Sequence, residues 1–400
     1  MRVPRVLTAA LVLLAFVPPL ATDMYLPAFP RMTADLHTDA SGVQLTLTAF
    51  LVGMGLGQLV LGPLSDRFGR RIPLLAGGVA CVAATALCAL APSLGWLVVL
   101  RFAQGFSGAA GMVIGRAVIS DVAEGEAAAR MFGVLMTLMS IAPVIAPVAG
   151  GAVVGSAGGW PGVFWVLAGA SLLALLGAVF AVPESLPAEK RHKGGAKATA
   201  AAVREVLGDR PYLGYTLTFA LSLAVLFCYL GGASFLFQNI LGLNLGQTSA
   251  VFASAGIVLT LASTATTKLV GRFRPEALLR TGVIVMVVAS AALCAAAAAD
   301  VLSLPLALGL LYVAFTGICM ASINATPLAL GRVPGAAGTG SAVLGTLQSV
   351  LSAVAAPLVG LGGEDTAVPM FACMTVFAVL SVVTLRMAAR GAAAPREAVT

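Results

Sequence analysis

The sequence predicts an all-α polytopic membrane protein with twelve transmembrane helices in two six-helix bundles. Of its 400 residues, 60% are hydrophobic and only 10% are charged, whereas about a quarter of the residues in soluble domains are charged. Twelve apolar segments are long enough to cross a bilayer, which takes about 20 residues. Basic residues lie between these segments and are not interleaved with aromatic ones, so the net charge of +7 indicates membrane topology and not nucleic-acid binding.

Short polar connections separate the twelve predicted helices. The helices lie near residues 6–29, 43–63, 74–92, 96–117, 131–155, 160–182, 212–237, 248–269, 278–299, 301–322, 338–361 and 367–387. One longer polar connection divides the first six from the last six. We therefore predict an N-terminal six-helix bundle over residues 1–183, a cytoplasmic linker over 184–211 and a C-terminal six-helix bundle over 212–400.

The lysines and arginines predict the orientation of the chain. All of them fall on the side that also holds both termini, except Arg31 on the other side and Arg101 inside the fourth helix. Cytoplasmic connections carry the excess of positive charge, so both termini are predicted to be cytoplasmic. Abundant alanine and glycine with few lysines are typical of a GC-rich bacterial genome. We expect a multi-pass protein of the bacterial plasma (inner) membrane.

The composition excludes several other function classes. All six cysteines lie in apolar runs and the two histidines lie far apart, so we expect no disulfide framework, no metal site and no cofactor. The sequence contains no G-x-x-x-x-G-K-[ST] phosphate loop, which argues against an enzyme that hydrolyses ATP. Any pumping would draw on an ion gradient or on a separate ATPase.

A carboxylate inside an apolar segment is a functional hypothesis by default, because a charge in hydrocarbon costs at least a few kcal/mol. Asp23 is the only acid inside the predicted helices, and Arg101 lies inside the fourth. Counted along the two helices, both lie about 8 to 9 Å below the outer face. We predict that they pair, that protonation of Asp23 weakens the pair, and that this shifts the two bundles between states. The alternative is a purely structural ion pair or a pair that snorkels to the interface.

The loop between the second and third helices combines one acid and three arginines with two glycines. It reads, in order, Gly62, Pro63, Leu64, Ser65, Asp66, Arg67, Phe68, Gly69, Arg70 and Arg71. The glycines permit unusual turns, and the carboxylate can accept charge-assisted hydrogen bonds. An ordinary positively charged loop would account for the arginines but not for the acid and the glycine spacing.

The fifth predicted helix contains two prolines and two glycines. Pro143 and Pro147 each remove a backbone donor, so this helix is predicted to bend. Gly150 and Gly151 permit close helix contact. We interpret the four residues as a hinge or a seam between bundles, with ordinary close packing as the alternative.

Three motifs resemble those of one family. The loop at 62–71 resembles the G-x-L-a-D-R-x-G-R-[RK] signature of the major facilitator superfamily. Residues 101–105 are similar to its R-x-x-Q-G segment, and residues 142–151 resemble its antiporter signature. With residues 23–27, the set looks most like the bicyclomycin/chloramphenicol-resistance (Bcr/CflA) branch of the twelve-helix drug/proton antiporters.

This resemblance spans essentially the whole chain and implies the fold of that superfamily. It implies efflux of drugs and antibiotics by alternating access, with a proton exchanged for a small apolar or amphipathic compound. It also implies a conformational latch in which Asp66 engages the fourth helix and the start of the eleventh around Gly338. The latch residues are Gly62, Asp66, Arg67, Gly69, Arg70, Arg116 and Asp121.

A substrate pocket is predicted from inward-facing polar, aromatic and methionine side chains, which adapt to varied apolar ligands. The candidates are Tyr25, Gln44, Phe50, Met54, Gln104, Met112, Tyr229, Phe235, Gln238 and Asn324. Each of them could instead be ordinary helix packing. The expected partners are a small drug-like substrate, protons and the lipid bilayer, and we expect a monomer.

Two other functions stay open at this point. One is a proton-coupled transporter of a single endogenous metabolite, and the other is a membrane sensor that transports nothing. A sensor would show no substrate-dependent proton flux. The sequence does not identify the substrate.

Overall fold

Apolar runs of 19 to 30 residues form α-helices throughout the residues that the computed structural model describes, namely 5–123, 125–187, 189, 191 and 203–393. The first helix, α1, covers Arg5–Asp23. The others are α2 (Ala40–Phe68), α3 (Arg71–Ala89), α4 (Leu94–Val122), α5 (Gly125–Val154), α6 (Gly159–Ala181), α7 (Arg210–Phe235), α8 (Leu245–Leu269), α9 (Pro275–Ala298), α10 (Leu304–Leu330), α11 (Ala337–Gly360) and α12 (Val368–Ala393).

The predicted all-α fold with twelve membrane helices is confirmed. Within the described ranges, 11 helices are long and apolar enough to cross a membrane, and α5 adds the shorter apolar stretch Ile141–Val154. Helices suit these sequences because each one satisfies its own backbone hydrogen bonds, which hydrocarbon cannot do. The protein is therefore a multi-pass membrane protein.

Contacts divide the chain into two compact units. Unit 1 comprises Met1–Lys193, Leu230–Ile257 and Gly360–Asp365, and unit 2 comprises the remainder. Unit 1 thus combines α1 to α6 with the last turns of α7, the first half of α8 and the end of α11. The predicted bundle boundaries at 183 and 212 stay a prediction, and positions 188, 190 and 192–202 of the predicted linker lie outside the described residues.

The first membrane span is longer than expected and is interrupted. It runs over Val6–Asp35, because a 3₁₀ turn at Leu26–Ala28 and a short helix at Phe29–Asp35 continue α1. Asp23 therefore lies 12 residues before the end of this span, whereas the predicted helix ended 6 residues after it, at residue 29. Its depth below the outer face stays a prediction.

Two prolines account for the interruption. In an α-helix the carbonyl of residue i accepts the N–H of residue i+4. Pro27 and Pro30 have no N–H, so the carbonyls of Asp23 and Leu26 lose their ordinary donors. We call residues 23–30 the α1 break.

Glycines bring α2 and α4 into backbone contact within unit 1. A side chain at Gly53 would collide with the carbonyl of Phe102, and one at Gly105 would collide with the carbonyl of Phe50. Small residues at such crossings let membrane helices approach closely. This crossing places Phe50 directly beside the Arg101 end of α4.

Gly105→Ala is expected to destabilise the protein by about 1–3 kcal/mol, because the new methyl group strikes backbone that cannot move aside. The matched control is Gly108→Ala, where the nearest atom to the new methyl is the Cys81 sulfur at 3.6 Å. Thermal unfolding of purified protein in detergent checks the difference. Equal melting temperatures for the two variants would contradict the proposed backbone contact.

Candidate functional site

Arg101 lies at the centre of the candidate site in unit 1, with 0% of the residue exposed. Its Nη1 donates to Gln104 Oε1 at 2.6 Å, and its Nη2 donates to the Ala21 carbonyl at 3.1 Å. Gln104 Nε2 in turn donates to Thr85 Oγ1 at 3.0 Å. The guanidinium is thus oriented by α1 and, through Gln104, by α3.

Aromatic rings cover the faces of this guanidinium. Its central carbon lies 4.3 Å from the ring centroid of Tyr25 and 4.4 Å from that of Phe50. The Phe164 ring lies 5.7 Å away. Such contacts attract a cation to the negative ring face, and the attraction grows when the pair is desolvated. We call Tyr25, Phe50 and Phe164 the aromatic cage.

The expected contact between Asp23 and Arg101 is wrong. Asp23 is buried, with 7% exposed, but the ion pairs of the described residues do not include it. The physical reason is the α1 break. Arg101 reaches the carbonyl of Ala21 and the ring of Tyr25, on either side of Asp23, while Nε of Arg101 finds no hydrogen-bond partner among the described atoms. The proton-coupling role of both residues stays a prediction.

The two glycines of α5 pack closely on neighbouring segments, Gly150 on the α1 break and Gly151 on α8. A side chain at Gly150 would collide with the carbonyl of Met24, and one at Gly151 would collide with Ser249 Oγ in α8. Both prolines lie inside a helix that continues without interruption. The hinge role of Pro143 and Pro147 stays a prediction, whereas the close packing of the two glycines is present.

Two of the predicted pocket residues form hydrogen bonds between helices, and their role in substrate binding stays a prediction. Gln44 Nε2 donates to the Gly231 carbonyl at 2.9 Å. Gln238 Nε2 donates to the Pro27 carbonyl at 2.9 Å. Both bonds lie within unit 1 and join the last turns of α7 to α2 and to the α1 break.

The other predicted pocket residues are distributed over both units. Tyr25, Phe50 and Gln104 surround Arg101, as described above. Met54 is buried in α2, Met112 accepts a hydrogen bond from Gln58, and Phe235 packs on Phe29. In unit 2, Tyr229 packs edge-on against Phe315, and Asn324 donates to the Met320 carbonyl. Their role in substrate binding stays a prediction.

The loop after α2 forms a charged network around Arg70. Gly69 takes φ +93°, a conformation that favours glycine, and this turn directs Arg70 back into the protein. Arg70 forms an ion pair with Asp66, donates from Nε to Asp121 Oδ2 at 2.9 Å, and donates from Nη1 to Ser65 Oγ at 2.9 Å. Asp66 is thereby connected to α4 through Arg70.

Two of the predicted latch residues lie outside this network. Arg116 and Arg67 are both exposed, and neither forms an ion pair with Asp66 or Asp121 in the described structure. Arg67 lies instead over the ring of its neighbour Phe68 at 5.3 Å. Arg70 contacts both carboxylates instead, and the latch roles of Arg116 and Arg67 stay a prediction.

Sequence reasoning missed the segment that holds this loop in place. Glu184 accepts hydrogen bonds from the backbone N–H groups of Arg70 at 2.8 Å and Arg71 at 3.2 Å. Ser185 Oγ donates to Asp121 Oδ2 at 2.8 Å. The signal in the sequence was an acid and a hydroxyl residue directly after the sixth apolar run. Both were assigned to the predicted linker.

These bonds shift the pKa values of the loop groups. Burial alone would raise the pKa of Glu184, but backbone N–H donors and the charge of Arg191 outweigh it, so that pKa lies below its ordinary value. Burial acts to lower the pKa of Arg70, yet hydrogen bonds and charges from Asp121 and Asp66 raise it. Arg70 is therefore a permanent cation between two acids.

Known proteins match nearly the whole chain. A family model described as the Major Facilitator Superfamily matches residues 11–357. The chain is 36% identical over 371 residues to the "Uncharacterized MFS-type transporter YdgK" of Bacillus subtilis, covering 92% of this chain and 91% of that one. It is 31% identical over 371 residues to the "Bicyclomycin resistance protein homolog" of Haemophilus influenzae, covering 92% of each. It is 27% identical over 340 residues to the "Multidrug resistance protein MdtL" of Vibrio parahaemolyticus, covering 84% and 83%.

Solved structures match the fold at low sequence identity. A bacterial homologue of the human lysosomal transporter Spinster, in an inward-facing and unoccupied conformation, has a TM-score of 0.78, 18% identity and 96% coverage of both chains. A D-xylose-proton symporter has a TM-score of 0.73, 17% identity and coverage of 95% and 96%. At this identity the similarity shows the shared fold alone.

Glu184→Gln is expected to lower stability at pH 7 by about 1 kcal/mol, since an amide NH₂ would face a backbone N–H. Because the folded-state pKa is depressed, the carboxylate stabilises the fold above its unfolded pKa, about 4.3, and loses that effect as pH falls through the folded value. Thermal unfolding between pH 3 and 7 should show the gap to wild type closing in acid. Glu189→Gln, an exposed neighbour, is the control, and a pH-independent gap would contradict the prediction.

Arg101→Lys is expected to destabilise the protein by about 1–3 kcal/mol, because an ammonium cannot cover ring faces and donate in two directions like a planar guanidinium. The control is Arg67→Lys, which alters an exposed cation–ring contact. Thermal unfolding in detergent compares the two. A lysine at 101 that leaves the melting temperature unchanged would contradict the stabilising role of the aromatic cage.

Proposed function

Since this chain belongs to the Major Facilitator Superfamily, we propose that it exports small drug-like compounds across the bacterial plasma (inner) membrane in exchange for protons. The names of the relatives support the drug-like substrate, because they include a bicyclomycin resistance protein homolog and a multidrug resistance protein. The antiporter signature at 142–151 supports export over uptake.

One observation carries the proposal of proton coupling, namely the burial of Asp23 at the α1 break. The residue is 7% exposed and has no ion-pair partner among the described residues. A buried charge without an ion-pair partner is costly, so this environment favours the protonated carboxyl group over the carboxylate. We propose that Asp23 carries its proton in this conformation.

Arg101 supplies the second part of the proposed coupling. Its cation persists without a carboxylate because the aromatic cage and two acceptors hold it. When Asp23 releases its proton, the new anion lies on the same stretch of α1 whose Ala21 carbonyl already contacts Arg101. Attraction between the two charges then favours a different arrangement of the α1 break. Proton release on one side of the membrane and proton uptake on the other would thus bias the alternating states.

The remaining parts of the proposal follow the charge distribution. We place both termini in the cytoplasm because nearly all lysines and arginines lie on their side. The charged network around Arg70 then lies at the cytoplasmic face, where its contacts with α4 suit the latch role of Asp66. We propose that the protein acts as a monomer in the bilayer.

Asp23→Asn tests the function directly. An amide cannot exchange a proton, so drug-driven proton flux should fall to background and the efflux rate should drop by roughly tenfold or more. The measurements are susceptibility of a pump-deficient bacterial host to a panel that includes bicyclomycin and chloramphenicol, and dye-reported proton flux in proteoliposomes. Proton-coupled efflux retained by Asp23→Asn would overturn the role of Asp23.

Asp35→Asn is the matched control for this test. Asp35 lies on the same span, is exposed, and accepts a hydrogen bond from Trp160 Nε1 at 3.0 Å. It should retain wild-type efflux, which shows that the loss belongs to the buried acid. If the wild-type protein itself confers no resistance and moves no protons with any compound, the drug-export function is wrong.

A further inference from the structure

We propose that Ser234, near the end of α7, and Gln238, in the turn that follows α7, hold one end of unit 1 closed. They do so by donating hydrogen bonds to backbone carbonyls of the α1 break. The two residues would act as positioning residues of a gate. This inference rests on the proposed function, because a gate has meaning only for a transporter. Helix packing alone does not require the hydrogen bonds that these two side chains donate.

The first cap follows from the missing N–H of Pro30. That proline leaves the Leu26 carbonyl without its ordinary helical donor. Ser234 Oγ donates to this carbonyl at 2.5 Å, and Ser234 is 0% exposed. The N–H of Phe29 donates to the same carbonyl within the 3₁₀ turn, and the Ser234 hydroxyl adds a second donor that connects α7 to the α1 break.

The second cap lies one residue further along the break. Gln238 Nε2 donates to the Pro27 carbonyl at 2.9 Å. Residues 234 and 238 are four apart and therefore share one helix face. The last turn, Leu236–Ile240, is π-helical, and such turns occur frequently at functional sites. Neighbouring carbonyls on the break are thus matched by donors one turn apart on α7.

A third bond extends the same interface to α2. Gln44 Nε2 donates to the Gly231 carbonyl at 2.9 Å, and Gly231 lies three residues before Ser234 on the same face. Phe235 adds an apolar contact, with its ring centroid 6.3 Å from that of Phe29. The interface therefore combines three neutral hydrogen bonds with a modest apolar contact.

Neutral bonds of this kind suit a gate that opens and closes. Separating a neutral hydrogen bond costs much less free energy than separating a buried ion pair. The acceptors also belong to the break itself, within four residues of Asp23. Any change in the backbone of the break moves both acceptors together, so the proposed proton site and the gate share one short segment.

The experiment measures distances between spin labels at Ala34→Cys and Ala250→Cys, two exposed helical positions in unit 1. The background replaces the six native cysteines with alanine or serine. Ser234→Val and Ser234→Thr are compared because they have the same shape and differ in one hydroxyl. We expect Ser234→Thr to keep the wild-type distribution, and Ser234→Val combined with Gln238→Leu to raise the ratio of long to short distances roughly tenfold.

The matched control is Ser222→Val on the same helix, whose hydroxyl donates within α7 to the Thr218 carbonyl at 2.8 Å. It should leave the distribution unchanged. Gln238→Leu alone serves if the double variant does not fold, with a shift of severalfold expected. The proposal is overturned if Ser234→Val matches Ser234→Thr and Gln238→Leu matches wild type. Because these distances need no drug, absence of efflux by the wild-type protein would overturn the proposed function separately.

Discussion

The structure of unit 1 is organised around a guanidinium that is fully buried without a carboxylate in contact. Moving an unpaired charge out of water is very costly, so Arg101 must draw stabilisation from everything near it. It does so through the rings of Tyr25, Phe50 and Phe164 and through acceptors on α1 and α4. Four helices therefore have their positions constrained by one side chain, and the glycine contact between α2 and α4 brings Phe50 within reach of it.

The α1 break lies beside Arg101 and changes the partners that its backbone carbonyls have. Pro27 and Pro30 end the regular helix at Asp23 and remove the ordinary helical donors of the Asp23 and Leu26 carbonyls. One consequence is that α7 can supply donors from its side chains. Another is that Gly150 can lie against the Met24 carbonyl, where any side chain would collide. The prolines thus turn a membrane helix into an attachment point for α5 and α7.

The helices themselves were predictable, whereas the partners of Arg101 were not. Runs of about 20 apolar residues must become helices because hydrocarbon offers no hydrogen bonds, and the glycine spacing of 62–71 marked the charged loop. The predicted pairing of Asp23 with Arg101 assumed a straight helix that ends near residue 29. The span continues to Asp35, and the consequence of prolines for individual carbonyls depends on which neighbours approach. No sequence count supplies that information.

The ion pairs of the charged loop could not be predicted from the sequence either. Its acid and glycine spacing were legible, but which arginine pairs with the acids depends on the turn at Gly69, where φ is +93°. That turn carries Arg70 inward and leaves Arg67 exposed. Backbone N–H groups freed by the same turn then need an acceptor, and Glu184 provides it from the segment after α6. The charged loop and the α1 break are thus both joined to distant parts of the chain by bonds between side chains and backbone groups, donors in the loop and acceptors in the break.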